Sequence, residues 1–176
     1  ASLLLLQGLV ACGQADQSTK ERSAPTKVEQ AAQPELADAP LVVAFGDSLY
    51  AGYQLGPNDG FAPQLQAALI KAGHPARVHN AGVSGDTTAA AKPRLAFVLD
   101  NLDRKPDLVI LDEPTSGMDP PGIQEMRALI RSLADNDGVT VILASHQLQE
   151  VQRVCDRVAI FNKGKVITEG RVSDLT

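Results

Sequence analysis

Short, mostly apolar runs recur along this chain, and they constrain its fold more than any other feature. The runs are "LVVAF" at 41–45, "DLVIL" at 107–111 and "VTVILA" at 139–144. Such runs are typical of strands that are buried on both faces of a parallel sheet. Segments in which apolar residues have helical spacing separate them, so strands alternate with helices. The pattern predicts an α/β fold of three layers around a mainly parallel sheet.

The remaining elements follow from helix starts, helix stops and turn residues. Pro93 is expected in the first turn of its helix, and Asp119 is expected to cap the next helix, which begins with two prolines. The inward positions predicted on the last two helices are Ile123, Met126, Ile130, Leu133, Leu148, Val151 and Cys155. The predicted helices cover 60–72, 93–104, a segment from residue 120, and 146–155; the further strands cover 76–82 and 157–161, and "NKGK" turns into a closing hairpin at 166–168.

Composition excludes some partners. The net charge is −5, aromatic residues make up 3% of the chain, and there is no tryptophan. Nucleic-acid surfaces need basic patches and aromatic stacking platforms, so we expect no nucleic-acid partner. The two cysteines lie far apart, which argues against a metal site built on sulfur.

The first 40 residues differ in character from the rest. An apolar run in residues 1–12 ends in "LVAC", and residues 13–40 are rich in Gln, Ala, Pro and charge, which predicts a flexible linker. "LVACG" resembles the lipobox of bacterial lipoproteins, which implies lipidation of Cys12. The expected location is then exported, either periplasmic or anchored to the membrane by lipid. The alternative is a buried strand with an ordinary core cysteine.

Two motifs follow the first two predicted strands. "AFGDSLYAGYQL" ends the first strand and "NAGVSGDTT" ends the second. Together they resemble the SGNH (GDSL) hydrolases over residues 41–110. The resemblance implies that Ser48 is the nucleophile, that the N–H groups of Ser48 and Gly85 are oxyanion donors, and that Asp47 holds the turn. It further implies a small acyl ester or a lysophospholipid as substrate, and no cofactor.

The later SGNH motifs are missing from this sequence. No G-x-N-D follows the strand at 107–111, and no D-x-x-H block follows later. An asparagine oxyanion donor, the general base and its orienting carboxylate are therefore absent. A serine without a base is a weak nucleophile, so we expect an inactive or impaired esterase.

The second half carries a different set of motifs: "LVILDEPTSGMDP", "ILASH" and "VCDRVAIFNKGKVITEG". They resemble the ATP-binding subunits of ABC transporters over residues 107–176. The resemblance implies that Asp112 holds Mg²⁺, Glu113 polarises water, Asp119 communicates across a nucleotide dimer, and His146 contacts the γ-phosphate. It implies Mg-ATP as cofactor, a transporter membrane subunit as partner, and the cytoplasmic face of the inner membrane as location.

This second set is also incomplete, because no G-x-x-x-x-G-K-[ST] motif and no LSGGQ signature occur. The strand at 107–111 is shared, since it fits both families.

Three hypotheses follow: an exported SGNH-type esterase, an ABC ATPase fragment, or a chimera with neither activity. A fourth depends on flavodoxin-like strand order, which would bring Ser48, Asp112, Glu113 and His146 to adjacent strand ends, with His146 as base for Ser48.

Overall fold

The computed structural model describes residues 36–85 and 88–174 of the chain. These residues all belong to the unit that spans Ala32–Thr176. The lipobox, Cys12 and the linker up to residue 35 lie outside the described residues. Within the described part, no helix is both long and apolar enough to cross a membrane.

Strands and helices alternate along this unit, as the sequence predicts. In chain order the elements are β1 (Leu41–Gly46), α1 (Ser48–Ala51), α2 (Phe61–Lys71), β2 (Arg77–Gly82), α3 (Thr88–Asp100), β3 (Leu108–Asp112), α4 (Pro120–Asp135), β4 (Thr140–Ala144), α5 (Leu148–Val154), β5 (Arg157–Asn162), β6 (Lys165–Arg171) and a short 3₁₀ turn (Val172–Asp174).

The first four strands form one parallel sheet in the order β2-β1-β3-β4. This is the flavodoxin-like order, and it confirms the predicted α/β class. The strand β3 lies in the middle, so it pairs with β1 on one side and with β4 on the other. Residues from the two halves of the sequence therefore share one sheet.

Apolar side chains cover both faces of that sheet. On one face, Val43, Phe45, Val109 and Leu111 pack against α3 and α4, mainly through Leu95, Met126, Ile130 and Leu133. On the other face, Val42, Ala44 and Ile110 pack against α1 and α2 through Tyr50 and Ala62. These are the three layers that the apolar runs predict.

The predicted strand at 157–161 forms, but it lies outside the parallel sheet. β5 pairs antiparallel with β6 in a separate two-stranded sheet. Both strands are largely exposed. The alternation of elements indicated one continuous sheet and could not show this separation.

Two predictions about helices are wrong in detail. Pro93 does not open its helix, because α3 already begins at Thr88 and Pro93 lies inside it. The segment before Pro93 is made of small residues, so it has no apolar periodicity from which an earlier start could be predicted.

The second error concerns the inward face of the predicted helix at 146–155. Leu148 was expected to face inward, yet it is 59% exposed. The buried face of α5 is formed by Glu150, Val151 and Val154. At about 100° per residue, Leu148 lies roughly a third of a turn from the centre of that face. Ile123 of α4 is likewise only half-buried, whereas Met126, Ile130 and Leu133 are buried as predicted.

Candidate functional site

The candidate site lies at the carboxyl edge of the parallel sheet, where functional groups of such folds collect. Ser48 follows β1 and the loop with Gly85 follows β2. Asp112 ends β3, directly before Glu113, and His146 follows β4. Strand order thus places the predicted site residues within the described ranges, Asp119 excepted, along one edge.

Ser48 lies at a sharp turn between strand and helix. It is the first residue of α1, and the Asp47 carboxylate accepts a hydrogen bond from the Leu49 N–H at 3.1 Å. Asp47 therefore caps the turn, which is the position that the resemblance implies for it. Gly46 is required here, because a Cβ at that position would lie 2.8 Å from the Tyr50 ring.

The loop after β2 packs directly on this turn. A Cβ on Gly82 would lie 2.2 Å from the backbone nitrogen of Ala51, so only glycine permits the contact. The Val83 N–H also donates to the Gly46 carbonyl at 3.2 Å. Gly85 follows with φ of 78°, in the left-handed region, and nothing lies within 4 Å of the place of its Cβ. The Ser48 turn and the Gly85 loop are therefore held together through backbone contacts.

Sequence reasoning missed Arg94, which hydrogen-bonds to the ends of both β1 and β2. Its guanidinium donates to the Ala81 carbonyl at 2.6 Å and to the Gly46 carbonyl at 3.0 Å. It also lies over the Phe45 ring, 3.8 Å from the centroid. No sequence signal distinguishes this arginine from a solvent-facing helix residue, because its partners are backbone carbonyls of distant strands.

Carboxylates from the two halves of the sequence meet beside the Ser48 turn. Burial raises the pKa of Asp112, and the charges of Asp47 and then Glu113 raise it further. Burial raises the pKa of Tyr50 to about 12, with a smaller contribution from the charge of Asp112. The centre of the edge is therefore acidic, and it holds negative charge less easily than water does.

Glu113 and His146 form a hydrogen-bonded pair. The Glu113 carboxylate accepts from the His146 backbone N–H at 2.8 Å and lies 2.7 Å from the ring Nδ1. The Ser145 hydroxyl donates to its other oxygen at 3.2 Å. A carboxylate can only accept, so Nδ1 carries the proton and, in the neutral ring, Nε2 is left as an acceptor. Glu113 has φ of 43°, an uncommon conformation for a residue other than glycine.

Asp119 makes its side-chain hydrogen bond at the start of α4. Its side chain accepts from the Gly122 N–H at 3.0 Å and caps α4, as the sequence predicts. The helix then packs on the sheet through its apolar face. Asp119 thus acts as a helix cap, and within the described ranges no hydrogen bond joins it to another predicted site residue.

The edge does not fit Mg-ATP. The turn after β1 presents the Asp47 carboxylate, whose charge raises the pKa of Asp112, whereas a triphosphate needs N–H groups and a positive charge there. The Glu113 carboxylate is already engaged by Ser145 and His146. Among the described residues, no cluster of three or more metal-ligating side chains occurs.

Fold and edge together define an α/β protein whose Ser48 lies at a strand-to-helix turn on the carboxyl edge of a parallel sheet. Residues 44–115 match the model of the GDSL-like lipase/acylhydrolase family. The SGNH-hydrolase family esterase AlinE4 is 36% identical with a TM-score of 0.54, covering 61% of this chain and 59% of that one. A variant of the same esterase is 31% identical with a TM-score of 0.55, covering 68% of this chain and 70% of that one. The chain therefore belongs to the SGNH (GDSL) hydrolase family.

A second similarity involves ATP-binding proteins. The bacitracin transport ATP-binding protein BcrA of Bacillus licheniformis is 50% identical over 64 residues, which is 36% of this chain and 21% of that protein. The energy-coupling factor transporter ATP-binding protein EcfA2 of Clostridium perfringens is 34% identical over 90 residues, which is 51% of this chain and 31% of that protein. This chain spans between a fifth and a third of these curated relatives. It thus joins parts that are similar to two families.

Proposed function

We propose that this chain is a serine ester hydrolase of the SGNH type, with Ser48 as nucleophile. In this proposal the N–H groups of Ser48 and Gly85 stabilise the oxyanion of the tetrahedral intermediate. The observation that carries the proposal is the backbone contact between the Ser48 turn and the loop that bears Gly85. Fixed N–H groups cost no reorganisation during the reaction, so this contact supports acyl transfer.

The proposed rate is low. The G-x-N-D and D-x-x-H blocks are absent from the sequence, so this site has neither the family's base nor its asparagine donor. Loss of members of a serine triad removes most of the rate enhancement. We therefore expect slow turnover that depends on Ser48.

The proposed substrate is a small acyl ester with an apolar acyl group, rather than a lysophospholipid. Three large apolar side chains lie exposed in and after the Ser48 turn: Leu49 at 63%, Tyr53 at 62% and Leu55 at 53%. Apolar surface beside the nucleophile favours an apolar acyl chain, since removing it from water stabilises the complex by about 0.8 kcal/mol per methylene. We therefore expect butyryl esters to be hydrolysed faster than acetyl esters.

The test is hydrolysis of p-nitrophenyl acetate and butyrate by the wild type, Ser48→Ala and Ser173→Ala. Ser173 is an exposed serine after β6, remote in sequence from the site, and serves as the matched control. The proposal expects release of p-nitrophenol and an acyl adduct on the protein by intact mass, both lost only in Ser48→Ala. Equal rates in all three proteins, with no adduct, would contradict it.

We also propose that the chain is exported and anchored to the membrane through Cys12, as the lipobox resemblance suggests. Mass spectrometry of the protein from membranes of its source cells would then find a lipid-modified Cys12. An unmodified thiol at that position would refute the anchor.

A further inference from the structure

We propose that His146 acts as the general base for Ser48 and that Glu113 orients it, so the pair replaces the base that the SGNH half lacks. This inference rests on the proposed esterase function. It assigns a role in ester hydrolysis to two residues that belong to the ATPase-like half of the chain.

Strand register supports the arrangement. Phe45 of β1 pairs with Leu111 of β3, and Asp112 of β3 pairs with Ala144 of β4. The three strands therefore end at the same level of the sheet. Ser48 and His146 each lie two residues beyond that level, so both emerge at the same height on the same edge.

The Glu113 bond determines which ring nitrogen of His146 is free to accept a proton. Glu113 bonds to the end of β4, since its N–H donates to the Ala144 carbonyl at 2.9 Å, and its carboxylate holds Nδ1. β1 and β4 are separated by two strand spacings, about 9.6 Å. The proposal therefore requires the imidazole and the Ser48 side chain to extend toward each other, with a water molecule bridging Nε2 and the Ser48 hydroxyl. The His146 side chain is 75% exposed, so its ring is accessible to solvent and to substrate.

The charges at the edge favour this role. The step creates a positive imidazolium, and the Glu113 carboxylate lies 2.7 Å from its Nδ1. A carboxylate in contact with the ring stabilises an imidazolium, as the carboxylate of a serine triad does. The Glu113 contact thus favours proton transfer to histidine.

The reaction balances with water as the only co-reactant. Ser48 Oγ–H gives its proton through the bridging water to Nε2 while the Oγ–carbonyl carbon bond forms. The ester C–O bond then breaks, and the alcohol leaves with the proton from Nε2. Water attacks the acyl carbon and gives a proton to Nε2. The bond to Oγ breaks, the acid leaves, and Ser48 recovers its proton from Nε2.

The experiment measures how fast a fluorophosphonate labels Ser48, by intact mass, together with p-nitrophenyl butyrate turnover. The variants are His146→Ala, His146→Asn, Glu113→Ala and the control His74→Ala, an exposed histidine that precedes β2. General-base catalysis contributes roughly 10²–10⁴-fold. We expect both His146 variants to label at least about 100-fold more slowly, imidazole to restore part of the loss in His146→Ala, and His74→Ala to match wild type.

Glu113 has its own readout, because it acts through His146. Glu113→Ala leaves no acceptor for the Nδ1–H, so it should slow labelling and should also remove the hydrogen-bonded Nδ1–H resonance of His146 from the proton NMR spectrum. A slow variant that retains this resonance would contradict the orienting role.

The outcomes separate the two proposals. Equal labelling in wild type and both His146 variants, with turnover still dependent on Ser48, would overturn this inference and leave the esterase proposal standing. Absence of any Ser48-dependent turnover or labelling in wild type would overturn both. The His146 side chain is largely exposed, so the variants should keep the wild-type unfolding temperature, which thermal denaturation checks.

Discussion

Gly82→Ala tests whether the contact between the Ser48 turn and the β2 loop is as close as the structure shows. The new methyl group would lie 2.2 Å from the Ala51 nitrogen and 2.3 Å from the Tyr50 carbonyl carbon. Both are backbone atoms, so no side-chain rotation relieves the overlap. The turn itself must move away from β2.

The expected cost follows from this geometry. Overpacking costs typically about 1–3 kcal/mol, and a clash with backbone belongs at the upper end, so we expect about 3 kcal/mol. For a domain of this size that corresponds to a fall of roughly 6–12 °C in unfolding temperature. The displacement should also separate Ser48 from Gly85, and a misplacement of about 1 Å can lower a catalytic rate by roughly 100-fold.

The matched control is Gly170→Ala in β6. Its added methyl group would meet no heavy atom within 4 Å, and Gly170 does not have a positive φ. We expect a change within about 0.5 kcal/mol there. Differential scanning calorimetry and p-nitrophenyl butyrate turnover provide the comparison. If both variants unfold at the wild-type temperature, α1 does not pack on Gly82 of β2 as closely as the structure shows.

Three further predictions concern charge. The pKa of Asp112 is raised in the folded protein, so its ionisation destabilises the fold as the pH rises above the unfolded pKa, and the loss is complete above the folded pKa. Asp112→Asn should therefore stabilise the fold at pH 7 but not below about pH 3.9. The exposed control Asp100→Asn should change the unfolding free energy little in denaturant titrations at both pH values. The same Asp112→Asn variant should lower the pKa of Tyr50 from about 12 in a spectrophotometric titration, yet keep it above about 10, because burial is the larger cause. Breaking the largely buried Arg127–Glu150 ion pair with Arg127→Met should cost roughly 3–5 kcal/mol in urea unfolding, and adding Glu150→Leu should recover most of it. A fourth prediction concerns nucleotide binding: calorimetry should detect no binding of Mg-ATP at millimolar concentration. A Mg²⁺-dependent heat of binding that Asp112→Ala removes would contradict the conclusion that the sheet edge does not fit Mg-ATP.

The main strands were predictable because few physical requirements decide them. Val43, Val109 and Leu111 lie in unbroken apolar runs, and each is fully buried. A buried parallel strand needs only such a run and a crossover helix, and both are visible in the sequence. The positions of Ser48, Asp112 and His146 at strand ends follow from the same pattern.

The contacts within the site could not be predicted, because they depend on the direction of single side chains. The pairing of Glu113 with His146 requires a positive φ at Glu113, which residues other than glycine rarely adopt. Arg94 reaches two carbonyls that are 13 and 48 residues away in the chain. On α5, Glu150 is buried through its ion pair with Arg127, so the apolar pattern alone gave the wrong inward face at Leu148.

The strand β3 explains why a core can form across two families while their catalytic sites remain incomplete. Val109 and Leu111 are fully buried and Ile110 is 8% exposed, so the strand supplies what both faces of the sheet require. Its backbone pairs with β1 on one edge and β4 on the other, and parallel ladders bond through backbone groups whatever the side chains are. The core can therefore form whether the residues after Leu111 follow the pattern of the SGNH hydrolases or that of the ABC ATPases.

Catalysis makes a stricter demand at the same place. The residues after Leu111 are Asp112 and Glu113, and neither supplies the asparagine donor that the SGNH motif would place there. At the join, the charge of Asp47 instead raises the pKa of Asp112, and Glu113 pairs with His146. Stability of the fold and activity of the site are thus separate properties of this chain. Apolar burial tolerates a change of the residues that follow Leu111, whereas catalysis requires hydrogen-bonding groups in fixed directions at that place.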